Sequence, residues 1–135
     1  MDSLILKGRL VSGQGVAKDF TREPWAREGF MKAVGIDPYP GTLNLAVADQ
    51  PERRLWIERR GKAGILMPAP NAKFCDGRLF RAVVRAPSAK SAPGAVVVPM
   101  VPGYPEDQLE IIATVALRAA LGAADGDMLD VIIEV

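Results

Sequence analysis

The chain has 135 residues, of which 49% are hydrophobic and 24% charged, a composition that excludes a wholly disordered chain. Seventeen Lys and Arg against sixteen Asp and Glu give a formal net charge of +1, so no overall charge favours nucleic acid or a membrane surface. The chain has no histidine, and Cys75 is its single cysteine, which excludes a Ser-His-Asp triad, a His-ligated zinc site and an internal disulfide. We therefore expect one domain over residues 1–135, located in the reducing cytoplasm.

The first part of the chain predicts a strand followed by a helix. Alternating apolar residues predict a strand over Leu4–Val11, which leads into the glycine-bearing turn Ser12-Gly13-Gln14-Gly15. Thr21 is expected to cap a helix over residues 23–34, and Gly35 is expected to end it.

A strand with one apolar and one polar face is predicted next. The two X-Pro bonds of Asp37-Pro38-Tyr39-Pro40-Gly41 hold the chain extended and out of a helix. In the strand 42–47 that follows, Leu43, Leu45 and Val47 share one face. Thr42 and Asn44 share the other.

The second part of the chain predicts short strands and one more helix. The charged segment 49–61 is expected to be a solvated loop or hairpin, and 86–94 an exposed loop. Strands are expected at 64–68, 79–85, 95–100, 109–113 and 128–135, with a helix capped by Thr114 over 115–121, closed by Gly122, and a turn at 125–127. Many short strands with two small helices indicate a compact β-barrel with helical insertions.

Thr42 and Asn44 form the most informative polar pair. Residues two apart on a strand project from the same side, about 7 Å apart. Hydroxyl and amide oxygens are hard neutral ligands of the kind that Mg²⁺ accepts beside phosphates and water. The alternative is an ordinary solvent-facing pair on a half-buried strand.

Two further features suit a phosphate, a third suits a ligand hydroxyl, and each has a simpler interpretation. Gly13 and Gly15 allow backbone N–H groups to approach a phosphate, or they simply end a strand. The helix start after Thr114, with Arg118 one turn in, favours an anion, or it binds only its own cap. Glu110 either orients a ligand hydroxyl or lies exposed on the rim of its strand.

Two strings of the sequence are distinctive: Pro38-Tyr39-Pro40-Gly41-Thr42-Leu43-Asn44 and, in register with it, Leu109-Glu110-Ile111-Ile112-Ala113. With the elements around them, they resemble the archaeal-type CTP-dependent riboflavin kinases over nearly the whole chain, most weakly over 49–94. The resemblance implies a mainly β fold, a six-stranded cradle-loop (RIFT-like) barrel with two short helical insertions.

The resemblance also implies the transfer of the γ-phosphoryl group of CTP to the 5′-hydroxyl of riboflavin, which gives FMN and CDP. By position, Thr42 and Asn44 would bind Mg²⁺, and Glu110 would contact the flavin and serve as the catalytic carboxylate. The CTP site would be lined by Gly13, Gln14, Gly15, Val16, Ala17 and Lys18 and completed by Val115, Ala116, Leu117 and Arg118.

Several positions depart from the family pattern. Val16-Ala17-Lys18-Asp19-Phe20 stands where the glycine loop normally continues with Glu-Gly and an aromatic residue. Pro102-Gly103 replaces a Thr-His pair whose threonine touches the flavin phosphate, and a proline has no N–H to donate. Thr114 replaces a proline, and Ala116 replaces a lysine, which removes a cation near the phosphates.

These departures leave other functions open. One is a non-catalytic relative that binds a flavin, a nucleotide or another small ligand. Another is an interaction module that binds DNA, against which the charge of +1 speaks. We expect small-molecule substrates, no nucleic acid, no membrane, and a monomer or small homo-oligomer.

Overall fold

The computed structural model describes residues 2–12 and 20–135, which contain seven β-strands and three α-helices. In chain order the elements are β1 (Ser3–Val11), α1 (Pro24–Val34), β2 (Leu43–Val47), α2 (Pro51–Arg60), β3 (Ile65–Met67), β4 (Gly77–Arg85), β5 (Ser91–Pro99), β6 (Gln108–Ile112), α3 (Leu117–Leu121) and β7 (Met128–Glu134). The chain is mainly β, as predicted.

Six of these strands close into a ring. Their order is β4-β5-β6-β2-β1-β7, and β7 returns to pair with β4, every one of these pairings being antiparallel. Strand β3 lies outside the ring, because it pairs with residues 77–79 of β4 whereas β7 pairs with residues 82–85. The predicted six-stranded barrel is therefore confirmed, with β3 as a short extension of the wall.

Alternating apolar side chains fill the barrel. Leu43, Leu45 and Val47 of β2 are buried, whereas Asn44 between them is only partly so. The core also takes the apolar faces of the other strands of the ring, including Leu6, Leu10, Leu109, Ile111, Leu129, Val131 and Ile133. The strands predicted from this period-two pattern at 4–11, 42–47 and 128–135 are confirmed to within a residue or two at their ends.

Helix α1 packs on the outside of the barrel in a second apolar cluster around the fully buried Phe30. The helix ends as predicted at Gly35, whose φ of 71° is the left-handed conformation that glycine adopts most easily. The predicted Thr21 cap is wrong, because Glu23 is the N-cap residue and no side chain caps the helix. The Thr21 hydroxyl instead accepts a 3.0 Å hydrogen bond from the N–H of Gly41, which fixes the segment that leads into β2.

The loop or hairpin predicted at 49–61 is wrong, since most of this segment is helix α2. Pro51 occupies the first turn of the helix, where its missing N–H costs nothing, and Arg59 and Arg60 lie in the last turn. The fully buried indole of Trp56 joins the barrel core, with its ring edge-on to that of Phe80 at 5.0 Å. A buried aromatic residue therefore anchors this charged segment to the barrel.

The exposed loop predicted at 86–94 is only half right. Strand β5 begins at Ser91, so the loop is a short turn in which the N–H of Ala89 donates to the carbonyl of Ala86. Gly94 lies so close to β6 that a Cβ there would be 2.5 Å from the carbonyl oxygen of Ile112. A close approach between strands, rather than a loop, explains this glycine.

No helix among the described residues is long and apolar enough to cross a membrane.

Candidate functional site

The polar face of β2 brings two oxygen atoms together. Thr42 immediately precedes β2 and Asn44 lies within it, and both side chains are partly exposed opposite the buried leucines. The hydroxyl Oγ1 of Thr42 is 3.3 Å from Oδ1 of Asn44, while the amide Nδ2 of Asn44 donates to the carbonyl of Thr42. The two side chains therefore present their oxygens side by side, as the alternation in the sequence predicts.

Glu110 lies next to this pair on the neighbouring strand. It is the cross-strand partner of Asn44, and its Oε1 is 3.4 Å from the Thr42 hydroxyl. That hydroxyl has one proton, so it donates either to Asn44 or to Glu110 at a given moment. The three side chains form one connected polar cluster.

The exposed-rim alternative for Glu110 is wrong. Leu109 and Ile111 face the barrel core, so Glu110 projects from the opposite face of β6, but its side chain is 0% exposed. The buried carboxylate is satisfied by Tyr104, whose hydroxyl donates a 2.6 Å hydrogen bond to Oε2 of Glu110. The carboxylate is thus enclosed between the segment before β6 and the polar face of β2.

The phenol of Tyr104 is held as a donor. Burial, followed by the charge of Glu110 and the hydrogen bond to it, raises the pKa of Tyr104 far above its ordinary value. Arg60 of α2 lies over the ring, with its guanidinium carbon 5.4 Å from the ring centroid, and donates to the carbonyls of Tyr104 and Pro105. Sequence reasoning missed both residues, since neither lies in a periodic pattern that joins it to Glu110.

A cavity of about 150 Å³ opens beside Thr42. Its walls come from the Pro-Tyr-Pro-Gly segment, the end of β6 and the start of α3: Tyr39, Pro40, Gly41, Thr42, Leu43, Ile111, Ala113, Val115, Ala116, Leu117 and Arg118. The four residues predicted to complete a nucleotide site therefore lie across the cavity from the first residue of the predicted metal pair.

The helix over these residues is shorter than predicted. Helix α3 covers only Leu117–Leu121, its N-cap residue is Ala116, and no side chain caps it. Thr114 is exposed, so the predicted Thr114 cap is wrong, whereas the predicted end at Gly122 is confirmed by its left-handed φ of 61°. Val115 lies in a bend and Ala116 is extended; both precede the helix and line the cavity.

Arg118 ties three segments together at the edge of this cavity. Its guanidinium donates to the carbonyl of Val11, to the hydroxyl of Ser12 and to Oδ1 of Asp125. The Ser12 hydroxyl in turn donates to Oδ2 of Asp125 at 2.6 Å. We call Ser12, Arg118 and Asp125 the clasp, because it joins the end of β1, the start of α3 and the turn before β7.

The clasp is an ionised arrangement at neutral pH. The hydrogen bond from Ser12, followed by that from Arg118, lowers the pKa of Asp125 below its ordinary value. Because its pKa is lowered, the Asp125 carboxylate contributes fully to the stability of the folded protein at pH values above its ordinary pKa. That contribution is lost only as the pH falls through the lowered pKa. Sequence reasoning singled out Arg118 but not its partners.

Other predicted residues stand apart from this cluster. Gly13, Gln14, Gly15, Val16, Ala17 and Lys18 lie outside the described residues. Cys75 is partly buried, and desolvation raises the pKa of its thiol, which suits a packed apolar residue rather than a nucleophile. Within 2–12 and 20–135, no three His, Cys, Asp or Glu side chains gather as a metal cluster.

Comparison with known proteins places the chain in a family. The profile CTP-dep_RFKase, described as a domain of unknown function, DUF120, matches residues 10–133. The chain is 35% identical to the riboflavin kinase of Saccharolobus solfataricus, with 100% of the chain and 75% of that protein covered. It is 33% identical to the riboflavin kinases of Archaeoglobus fulgidus and Sulfolobus acidocaldarius, with 93% of the chain and 53% and 79% of those proteins covered. On this match, which spans β2, β6 and the start of α3, the chain belongs to the family of CTP-dependent riboflavin kinases.

Proposed function

We propose that the protein transfers the γ-phosphoryl group of CTP to the 5′-hydroxyl of riboflavin, with Mg²⁺, to give FMN and CDP. The observation that carries this proposal is the cluster of Thr42, Asn44 and Glu110 beside the cavity that the residues around the start of α3 enclose. In phosphoryl transfer the protein chiefly positions groups and stabilises charge, so a chain without histidine is suited to it.

Thr42 and Asn44 fit a magnesium ion. Two oxygens at neighbouring octahedral positions, each about 2.1 Å from Mg²⁺, are about 3 Å apart. Oγ1 of Thr42 and Oδ1 of Asn44 are 3.3 Å apart and partly exposed, and both are hard neutral ligands. An ion held there supplies positive charge against the phosphate oxygens of the nucleotide.

The nucleotide is assigned to the cavity. Gly13, Gln14, Gly15, Val16, Ala17 and Lys18, which follow the clasped Ser12 in sequence, together with residues 115–118, are proposed to line its binding site. The clasp supports this assignment, because it anchors the residue that enters the glycine stretch to the cavity wall.

Glu110 is assigned to the hydroxyl of riboflavin. A buried carboxylate accepts a hydrogen bond from the 5′-hydroxyl and takes its proton as the oxygen bonds to the γ-phosphorus. The bond between the γ-phosphorus and the bridging oxygen breaks, and CDP leaves with that electron pair. Tyr104 keeps the carboxylate in place throughout, since its own proton is retained.

The direct test is the incubation of purified protein with riboflavin, Mg²⁺ and CTP, and with ATP in place of CTP, followed by chromatographic detection of FMN. We expect FMN and CDP in equal amounts with CTP and slower formation with ATP. No FMN with any nucleoside triphosphate would refute the proposal.

A non-catalytic ligand-binding protein is the second candidate. Pro102-Gly103 forms an exposed turn, and Pro102 has no N–H to offer a phosphate. Calorimetric binding of riboflavin or CDP to a protein that makes no FMN would favour this candidate, and turnover would exclude it.

The clasp gives a prediction about nucleotide affinity. Replacing Arg118 by methionine keeps the length of the side chain but removes all three of its hydrogen bonds. We expect the KM for CTP to rise about tenfold, since a bond to a charged group contributes about 1.5–3 kcal/mol when it is not screened by solvent and less at a partly exposed site such as this. The kcat should fall less than about threefold, because the lost bonds support the bound substrate and the transition state about equally.

The matched control is Arg85→Met. Arg85 is about as exposed as Arg118 and also pairs with an aspartate, Asp130, but it lies on β4. Its loss should leave the KM for CTP unchanged. A rise in the KM for riboflavin instead of CTP in Arg118→Met would contradict the role given to the clasp.

A further inference from the structure

We propose that Tyr104 is a positioning residue that acts through Glu110, by fixing which oxygen of the carboxylate faces the reacting groups. This inference rests on the proposed kinase function and adds a residue to its machinery. Tyr104 itself is placed away from the substrates, with Glu110 between its hydroxyl and Thr42.

The two oxygens of Glu110 have separate neighbours. Oε2 accepts the 2.6 Å hydrogen bond from Tyr104, while Oε1 lies 3.4 Å from the hydroxyl of Thr42. A glutamate has three rotatable side-chain bonds, so each hydrogen bond to its carboxylate restricts the orientations open to it. The short bond from the phenol selects the orientation that leaves Oε1 directed at the Thr42 side.

Tyr104 is itself fixed by a second element. The guanidinium of Arg60 donates to the carbonyl of Tyr104 at 3.1 Å and to that of Pro105 at 3.0 Å. It also lies over the phenol ring, which restrains the ring plane. Helix α2 thereby sets the position of the phenol, and the phenol sets the position of the carboxylate.

The arrangement does more than satisfy a buried charge. Any hydrogen-bond donor of suitable geometry would satisfy a buried carboxylate. Here the donor remains protonated well beyond the neutral range, so it neither competes for the proton of the substrate nor releases its own. Those are the properties required of a group that orients a base.

The test is a double-mutant cycle of Tyr104→Phe and Glu110→Gln, with kcat for FMN formation as the readout. Phenylalanine keeps the ring under Arg60 and removes only the hydroxyl. If Tyr104 acts through Glu110, Tyr104→Phe lowers kcat about tenfold in the wild-type background and less than about twofold in the Glu110→Gln background. Equal losses in both backgrounds, or no loss in the first, would overturn the inference.

Binding measurements separate positioning from a structural role. The Kd for riboflavin by flavin fluorescence and the Kd for CDP by calorimetry should change less than about twofold in Tyr104→Phe, since only the orientation of the base is lost. If Glu110→Gln has no measurable turnover, the deciding result is this split: a fall in kcat with unchanged Kd values supports the inference, and any other pattern overturns it.

A control variant and the wild type complete the design. Asp130 also accepts bonds from two side chains, Lys7 and Arg85, but β7 lies three strands from β6 in either direction around the ring. Asp130→Asn should therefore leave kcat within about twofold of wild type. A wild-type protein that forms no FMN would refute the proposed function and this inference together, whereas an active wild type with an unaffected Tyr104→Phe would refute this inference alone.

Discussion

Replacing Asn44 by leucine, or Thr42 by valine, is expected to lower the kcat for FMN formation about a thousandfold, equivalent to about 4 kcal/mol of transition-state stabilisation. Each substitution preserves the shape of the side chain and removes one of the two oxygens that lie 3.3 Å apart on the polar face of β2. The protein should remain folded, because both positions are partly exposed and the buried face of the strand is unchanged.

The controls for this prediction separate the loss of an oxygen from the loss of shape. Thr42→Ser keeps the hydroxyl and should retain activity within about fivefold, since serine and threonine offer the same donor and acceptor. Raising the concentration of Mg²⁺ should partly restore Thr42→Val if its defect is weaker metal binding. Thr42→Val and Asn44→Leu variants with full activity at limiting Mg²⁺ would show that the pair does not bind the ion.

The neutral character of the pair follows from its neighbour. Asn44 and Glu110 face each other across β2 and β6, and opposed residues of an antiparallel pair have Cβ atoms about 4.5–5.5 Å apart. An aspartate at 44 would set two carboxylates against each other, which raises the pKa of one of them. With an amide there, Glu110 stays buried beside an uncharged oxygen without that repulsion. The arrangement suits an ion whose main anionic partners are phosphates of the substrate.

Local alternation carries most of what the sequence predicts about the fold. The strands containing Leu6, Leu45 and Val131 bury every second residue. Their buried and exposed faces can therefore be predicted without knowing which strands they pair with. The same alternation places Thr42 and Asn44 on one side. The resemblance to a known family supplied the ring of six strands, which periodicity alone indicates only as a barrel.

What the sequence did not predict depends on contacts between distant segments. The sequence predicts either a ligand-orienting or an exposed Glu110 in an apolar strand, whereas in the fold it is fully buried and bonded to Tyr104, in the segment that leads into β6. Thr21 and Thr114 both precede helices and have the chemistry of caps, yet Thr21 bonds to Gly41 and Thr114 is exposed. A capping residue type is a local preference, and tertiary packing overrides it.

Helix α2 shows the same limit. Its sequence, Pro51-Glu52-Arg53-Arg54-Leu55-Trp56-Ile57-Glu58-Arg59-Arg60, is mostly charged and offers a single buried side chain, so it lacks the apolar stripe that marks an ordinary surface helix. Proline in the first turn and arginines in the last are helix signals, but they are weak beside that composition. Trp56 is the one fully buried side chain of the helix, so its contribution to stability can be tested directly.

Trp56→Ala is expected to lower the free energy of unfolding by about 3–5 kcal/mol, measured by urea denaturation. The indole is fully buried in the barrel core and packs edge-on against Phe80, so its removal leaves a cavity and detaches α2 from the core. Because Arg60 lies on the same helix and holds Tyr104, the kcat of the surviving folded protein should also fall.

Two further variants show whether burial of the indole causes this loss. Leu55→Ala changes the adjacent residue, which is 40% exposed, and should alter the unfolding free energy by about 0.5 kcal/mol or less, since leucine and alanine are both good helix formers. Trp56→Phe should lose less than Trp56→Ala, because the buried indole N–H has no hydrogen-bond partner among the described residues and phenylalanine removes that unpaired donor while retaining an aromatic ring. Similar losses in Leu55→Ala and Trp56→Ala would mean that α2 is stabilised by its helical propensity and not by the anchoring of one side chain in the barrel.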